Sequence, residues 1–121
     1  MSSERRAIER RRHALQEQLR ARSREPLMRG SLYERRRRCG RANCACATDP
    51  RARHPGHFLT VFWDGRTRGL HVRADEAEPI EQAIAAYERL WELVNELTAC
   101  EVAELRRRGR ERQRARKRAQ R

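Results

Sequence analysis

The sequence predicts a small α+β fold: a zinc-stapled β-hairpin module with an N-terminal helical arm and a long C-terminal amphipathic helix. Three observations predict it. Three cysteines and a histidine cluster between residues 39 and 54, an Asp-Gly pair separates two strand-like runs, and apolar residues recur at helical spacing after residue 76. Because 39% of the 121 residues are charged, little remains for a core, and a bound metal would help to stabilise the fold.

The first segment predicts a polar helix that begins with Ser3 as its N-cap and continues to about residue 24. Ile8, Leu15 and Leu19 recur on one side of it, and Pro26 lies beyond its end because proline cannot extend a helix. The apolar stripe is thin. A solvated or partly disordered arm is therefore the alternative interpretation.

The cysteine cluster has the spacing C-x4-C-x-C-x7-H, formed by Cys39, Cys44, Cys46 and His54, with His57 as an alternate ligand. Three thiolates and one imidazole complete a tetrahedral Zn²⁺ shell, and a shell with no open position is structural. We therefore expect one structural zinc per chain and no enzymatic activity.

Three other uses of these cysteines are less favoured by the sequence. A disulfide is disfavoured because no signal peptide or membrane-spanning segment is evident, so we expect a cytoplasmic, reducing location. An iron–sulfur cluster would prefer a fourth cysteine, and Cys100 is distant and better explained as a small core residue. A nucleophilic cysteine lacks an accompanying acid or oxyanion loop.

The predicted hairpin comprises residues 58–63 and 66–72, joined by a type I′ turn at Asp64-Gly65. Phe58 and Phe62 would share one face, and Trp63 the other. These aromatic residues could stack on unpaired bases, but at strand spacing they are more often part of a core, which is the interpretation we favour. One face must pack on the metal loop or on the following helix, because an isolated hairpin is marginally stable.

The long helix is predicted over residues 76–105, with acidic residues at its start and Pro79 in its first turn. Its apolar face is too wide for a lone surface helix. The hairpin, the N-terminal helix or a second copy in a coiled coil would cover it. The expected interface residues are Ile84, Tyr87, Leu90, Trp91, Val94 and Leu97.

Charge is distributed unevenly along the predicted segments, which are an arm at 1–27, a metal loop and hairpin at 28–75, the helix at 76–105 and an arginine-rich tail at 106–121. Both ends are basic and the middle is acidic, although the chain carries a net charge of +13. Such ends suit DNA or RNA phosphates, with little sequence specificity. An anionic membrane is a weaker candidate because the basic runs lack large apolar residues. A GC-rich genome or a merely solubilising tail would also explain the arginines.

The expected nucleic-acid contacts are Arg35, Arg36, Arg37, Arg38, Arg106, Arg107, Arg108, Arg110, Arg112, Arg114, Arg116, Lys117 and Arg118.

Residues 28–108 resemble an uncharacterised family of short bacterial proteins that are often encoded near transposases. The shared pattern is an R-G-S-L opening, matched at residues 29–32, a cysteine motif, matched from Cys39 to Cys46, a His-Gly-Pro loop, an aromatic strand, a G-K-T-R-like turn, matched at residues 65–68, and a long helix; in this chain the loop reads His-Pro-Gly at residues 54–56. The chain departs from the pattern where the loop dipeptide is reversed and His57 replaces an aromatic residue. The resemblance implies a bacterial accessory protein linked to a transposon, and it brings no established activity.

From these features we expect a non-enzymatic, cytoplasmic or nucleoid-associated zinc protein that binds nucleic acid through its arginines. The alternative is a protein-interaction adaptor that dimerises, or docks on a protein partner, through the long helix. No membrane or small-molecule partner is expected.

Overall fold

The computed structural model describes residues 2–121, which form two helices and a three-stranded sheet. The α+β fold is therefore as predicted. Two short 3₁₀ turns, Ala45–Ala47 and Pro50–Ala52, lie in the cysteine loop. The principal elements are α1 (Ser3–Arg22), β1 (Gly30–Arg37), β2 (His54–Trp63), β3 (Arg66–Val72) and α2 (Ala74–Ala119).

The sheet is antiparallel with the order β1-β2-β3. Both predicted hairpin strands are present, and β2 begins four residues earlier than expected, at His54. Asp64 (φ 54°) and Gly65 (φ 71°) connect them with the positive φ angles that a type I′ turn requires. Strand β1 was not predicted, because its Glu-Arg-rich sequence lacks apolar alternation and its pairing with β2 decides its conformation.

One face of the sheet packs against the start of α2. Leu59, Val61 and Val72 are buried there, and Ile80 and Ile84 of α2 pack against them together with Met28 and Leu32. We call this side the inner face and the opposite side the outer face. The structure thus shows that the helix after the hairpin covers it, one of the two arrangements expected.

The N-terminal helix is capped by Ser2 and not by Ser3. The Ser2 hydroxyl accepts a hydrogen bond from the backbone N–H of Arg5 at 3.1 Å, and Ser3 is the first helical residue. Helix α2 also begins earlier than predicted, at Ala74, so Pro79 lies beyond the first turn. The helix continues through the arginine-rich tail to Ala119.

Contacts divide the chain into two compact units. Pro26–Glu88 contains the sheet, the cysteine loop and the start of α2. The other unit combines α1 with Arg89–Arg121, where Leu15, Leu93 and Cys100 are buried together and Leu19 and Leu97 pack against them. Cys100 is therefore the small core residue that its position predicted. Within residues 2–121, neither helix has a stretch that is both long and apolar enough to cross a bilayer.

Candidate metal centre and arginine-bearing strand

The β1–β2 register positions two of the four predicted metal ligands. Arg37, the last residue of β1, lies opposite His54, the first residue of β2. Cys39 follows two residues after Arg37, and Gly40 then reverses the chain with a φ of +85°, a conformation that side-chain-bearing residues rarely adopt. The paired strand ends therefore bring Cys39 close to His54.

The loop that follows supplies the other two cysteines. The backbone N–H of Cys44 donates to the carbonyl of Arg41 at 3.3 Å, and the N–H of Ala47 donates to the carbonyl of Cys44 at 3.0 Å. The resulting 3₁₀ turn places Cys46 in a buried position, only 1% exposed. Local turns thus direct both thiols toward the strand ends.

The four candidate ligand atoms converge on one point. One ligand atom from each of Cys39, Cys44, Cys46 and His54 lies within 4.8 Å of all the others. Cys44 Sγ is 3.2 Å from His54 Nε2, and Cys46 Sγ is 3.5 Å from Cys39 Sγ. Two thiols that face each other, with a third thiol and an imidazole beside them, form a group that could hold a metal ion.

Hydrogen bonds favour the thiolate form of Cys39. The pKa of Cys39 is lowered to about 6, chiefly by a hydrogen bond from the backbone of Arg41 and next by one from Cys46. At Cys46 the backbone N–H of Cys39, 3.3 Å away, lowers the pKa, but burial and the neighbouring thiols outweigh it and raise the pKa. The cluster therefore holds an anion readily at Cys39 and resists a second charge at Cys46 unless a cation is present.

His57, the alternate ligand, lies elsewhere. It pairs with Glu34 and Val72 across the sheet and is not part of the four-residue cluster. Its Nδ1 is buried and has no hydrogen-bond partner among the described residues. The three-residue separation from His54 along a strand places the two imidazoles on opposite faces of the sheet.

The arginine run before Cys39 forms the end of strand β1. Arg35, Arg36 and Arg37 belong to the strand, and these residues and Arg38 are all exposed. The guanidinium of Arg35 lies 4.9 Å from the centre of the Phe58 ring, a cation–π contact. Pairing with β2 therefore fixes the backbone from which these charges extend.

In the tail, Arg107 does not fit the phosphate-binding role predicted for it. Its side chain is 10% exposed and donates to Glu104 at 2.8 Å and to Glu111 at 2.7 Å. Arg108 also pairs with Glu104, and Arg110 pairs with Glu4. The other predicted tail residues are exposed: Arg106, Arg112, Arg114, Arg116, Lys117 and Arg118.

The core assignment of the hairpin aromatics is wrong for two of them. Phe62 is 41% exposed and Trp63 is 49% exposed, whereas Phe58 is half-buried. The buried part of the sheet comprises Leu59, Val61 and Val72 and stops short of the turn. Tyr33 of β1, which sequence reasoning overlooked, is also exposed, at 47%.

The predicted helix interface is divided between two cores. Ile84 packs on the sheet, and Leu97 packs against Leu15. Trp91 is 54% exposed, whereas Tyr87, Leu90 and Val94 are half-buried. The sequence could not distinguish the packed positions from the exposed one, because all lie on one broad apolar face.

Comparison with known proteins assigns a family. A family model described as a domain of unknown function, DUF6788, matches residues 5–82. The chain belongs to the DUF6788 family. The match begins in α1, outside the stretch that carried the resemblance, and ends within α2, so that it includes the candidate metal cluster and the whole sheet. No curated protein and no solved structure matches the chain significantly.

Proposed function

We propose that this DUF6788 protein is a non-enzymatic zinc protein that binds nucleic acid through arginines on β1 and on the C-terminal part of α2. Zinc is the ion that best suits three sulfur ligands and one imidazole. In a tetrahedral shell with Zn–S bonds of about 2.3 Å, neighbouring sulfurs lie roughly 3.7 Å apart. The Cys39–Cys46 separation of 3.5 Å is close to that spacing.

A structural role for the ion follows from the complete ligand set. Four protein ligands leave no position at which water or substrate could bind the metal. The proposed ion instead connects the end of β1, the cysteine loop and the start of β2. Its binding would stabilise the folded form of this small unit.

The register between Arg37 and His54 is the observation that carries the nucleic-acid proposal. It places the arginine-bearing end of β1 directly beside the metal cluster, so that a bound ion would hold the exposed guanidinium groups of Arg35 to Arg37 on a fixed backbone. Fixed arginines suit phosphates because the planar guanidinium donates two parallel hydrogen bonds. Neutralising phosphates would release counterions, which supplies affinity without a shaped pocket.

Metal analysis combined with binding measurements tests this proposal. Purified protein should contain one zinc per chain, and its affinity for labelled DNA or RNA should fall steeply between 50 and 200 mM salt, by roughly tenfold or more if several phosphates are contacted. The proposal would be contradicted if the protein bound no zinc when supplied with micromolar Zn²⁺. It would also be contradicted if the affinity for nucleic acid did not change with salt.

An accessory role in a mobile element is a narrower proposal, supported only by the family resemblance of the cysteine motif. It predicts preferential binding to transposon-end DNA over unrelated DNA of the same length and composition. Equal affinity for the two, measured in direct competition, would exclude a role based on recognition of the ends.

A second candidate function is self-association through α2. Trp91, Val102 and Leu105 are exposed, and their spacings of 11 and 14 residues correspond to about three and four helical turns. They therefore form one apolar stripe, which a second copy could cover. Trp91→Asp and Leu105→Asp should each convert a dimer to a monomer in sedimentation experiments without loss of helicity. A wild-type chain that is monomeric at about 100 μM would rule this function out.

A further inference from the structure

The outer face of the sheet carries a row of aromatic rings. Tyr33, Phe58 and His71 lie opposite one another on the three strands. The ring centres of Tyr33 and Phe58 are 5.5 Å apart, and those of Phe58 and His71 are 5.2 Å apart. The row therefore crosses the full width of the sheet on the side that α2 does not cover.

Gly69 allows the central ring to lie close to the sheet. A Cβ atom at this position would approach Phe58 Cζ to 2.4 Å, nearer than real Cβ contacts permit. Gly69 is next to Phe58 in space because it pairs with Thr60, two residues along β2. Because Gly69 has no side chain, the Phe58 ring can lie across β3, and no side chain rises from the outer face at this position.

A second exposed ring extends the aromatic surface toward the turn. Phe62 lies four residues from Phe58 along β2 and on the same face of the sheet. The guanidinium of Arg29 lies 4.5 Å from the centre of the Phe62 ring. The N–H of Phe62 donates to the carbonyl of Arg29 at 3.1 Å, which continues the β1–β2 pairing. The outer face thus presents two well-exposed rings, Tyr33 beside Phe58 on β1 and Phe62 four residues from Phe58 along β2.

The charges on this face are of one sign. Arg35 and Arg37 extend from β1 at alternate positions, and Arg29 lies just before the strand. The register also places His71 on this face, and burial, followed by the charges of Arg37 and Arg35, lowers its pKa. Within the described strands, the register places Glu34 on the inner face, so that no acidic side chain opposes the arginines.

We propose that the outer face is a binding platform for single-stranded nucleic acid, with Tyr33 and Phe62 stacking on unpaired bases and Arg29, Arg35 and Arg37 contacting the phosphates. This inference rests on the nucleic-acid function proposed above and specifies its substrate class. Aromatic rings on an open sheet are a recurrent means of stacking on unpaired bases, and arginine planes contribute in the same way.

Single strands suit this face better than duplexes do. The bases of a duplex are stacked on one another and hide their faces, so rings on a broad sheet can reach only its backbone. Unpaired bases offer accessible π faces at a smaller unstacking cost than paired bases do. The arginines alone would bind both forms, and the rings therefore provide the discrimination.

Trp63 supplies a matched control within the same strand. It is as exposed as Tyr33, it has an arginine over its ring (Arg68, 3.9 Å from the centre), and it is adjacent to Phe62. It nevertheless lies on the opposite side of β2, because neighbouring strand residues point to opposite faces. A general contribution of exposed aromatics would make Trp63 as important as Phe62.

The test uses the full zinc-loaded chain and measures fluorescence anisotropy with labelled twelve-nucleotide oligo-U, twelve-nucleotide oligo-dT and a twelve-base-pair duplex. Tyr33→Ala and Phe62→Ala should each weaken binding to the single strands by roughly tenfold and change duplex binding less than twofold. Trp63→Ala should change single-strand binding less than twofold. Tyr33→Phe and Phe62→Tyr should retain wild-type affinity, which separates loss of the ring from loss of the fold.

The outcomes distinguish this inference from the proposed function. If no nucleic acid binds, both are wrong. If binding is strong and salt-dependent but Tyr33→Ala and Phe62→Ala bind the single strands as wild type does, or if Trp63→Ala is equally impaired, the platform is wrong and the arginine-based function remains.

Discussion

Arg37 and His54 are partners across the β1–β2 register, so the last residue of the arginine-bearing strand lies opposite a candidate metal ligand. The arginine run and the Cys/His cluster, which are adjacent along the chain, are thus also adjacent across two strands. Cys39 follows Arg37 by two residues, and the cluster therefore lies at the end of the sheet.

The choice of histidine ligand is tested by His54→Ala with His57→Ala as its matched control. We expect His54→Ala to reduce the zinc content well below one ion per chain, because its Nε2 lies 3.2 Å from Cys44 Sγ. His57→Ala should retain the ion, since His57 is outside the cluster. Plasma mass spectrometry of dialysed protein measures both, and the reverse result would assign the ligand to His57.

Chelation should loosen the sheet end and leave the α1–α2 packing intact. Removal of the ion leaves Cys39, Cys44 and Cys46 without their common partner, whereas the Leu15–Leu93 core contains no part of the cluster. Hydrogen exchange followed by mass spectrometry should show faster exchange in peptides covering residues 35–54 and unchanged exchange around residues 90–100. Uniform acceleration across the chain would show that the ion supports the whole fold.

The cysteine cluster could be predicted because its members are close in sequence, and short loops restrict where they can point. Strand β1 could not, since residues 34–38 are a charged run whose conformation depends on pairing with β2. The choice between His54 and His57 as the ligand depends on the β1–β2 register, which can be read only from the folded structure. For the same reason the sequence could not show that Phe62 and Trp63 lie outside the buried part of the sheet.

The buried pair of Glu104 and Arg107 predicts a specific pH dependence of stability. Hydrogen bonds from Arg107, and then from Arg108, lower the pKa of Glu104 from an ordinary 4.5 to about 2. Because the folded-state pKa lies below the unfolded value, the contribution is complete above about pH 4.5 and disappears as the pH falls toward 2.

We therefore expect Glu104→Gln to lower the melting temperature by several degrees at pH 7, with the gap from wild type closing as the pH falls through that range. Glu101→Gln is the matched control, because the Glu101 side chain is exposed and its 2.6 Å pair with Arg12 contributes less. Calorimetry at a series of pH values measures all three proteins. A gap that stays constant to pH 2 would contradict the assignment.

Gly69 and Gly56 give contrasting predictions for alanine substitution in the sheet. At Gly69 a Cβ would meet the Phe58 ring at 2.4 Å, whereas at Gly56 its nearest neighbour is the Arg35 carbonyl at 3.6 Å, an ordinary contact. Gly69→Ala should destabilise the protein by about 1 kcal/mol or more because the ring must move. Gly56→Ala should be within about 0.5 kcal/mol of wild type. Equal effects in urea unfolding would show that Phe58 does not rest on Gly69.

The elements of the fold that could be predicted are those with a local signal in the sequence. Asp64 and Gly65 fix the turn because only a few residue types accept positive φ, and periodic apolar residues identify both helices. The burial of Arg107 had no such signal. Its partners Glu104 and Glu111 are three residues before it and four after it on α2, a spacing equally typical of an exposed helix.

The most direct test of the central claim, that the arginines beside the metal cluster bind nucleic acid, is the salt dependence of binding by an Arg35→Gln, Arg36→Gln, Arg37→Gln variant. Its control is the variant Arg20→Gln, Arg22→Gln, Arg24→Gln, which removes the same charge near the end of α1. Each neutralised phosphate contributes about 0.7 to 0.9 to the slope of log affinity against log salt. We predict that the β1 variant lowers the magnitude of the slope by about 2, and the control by less than about half of that. An unchanged slope in the β1 variant, with zinc still bound, would contradict the account.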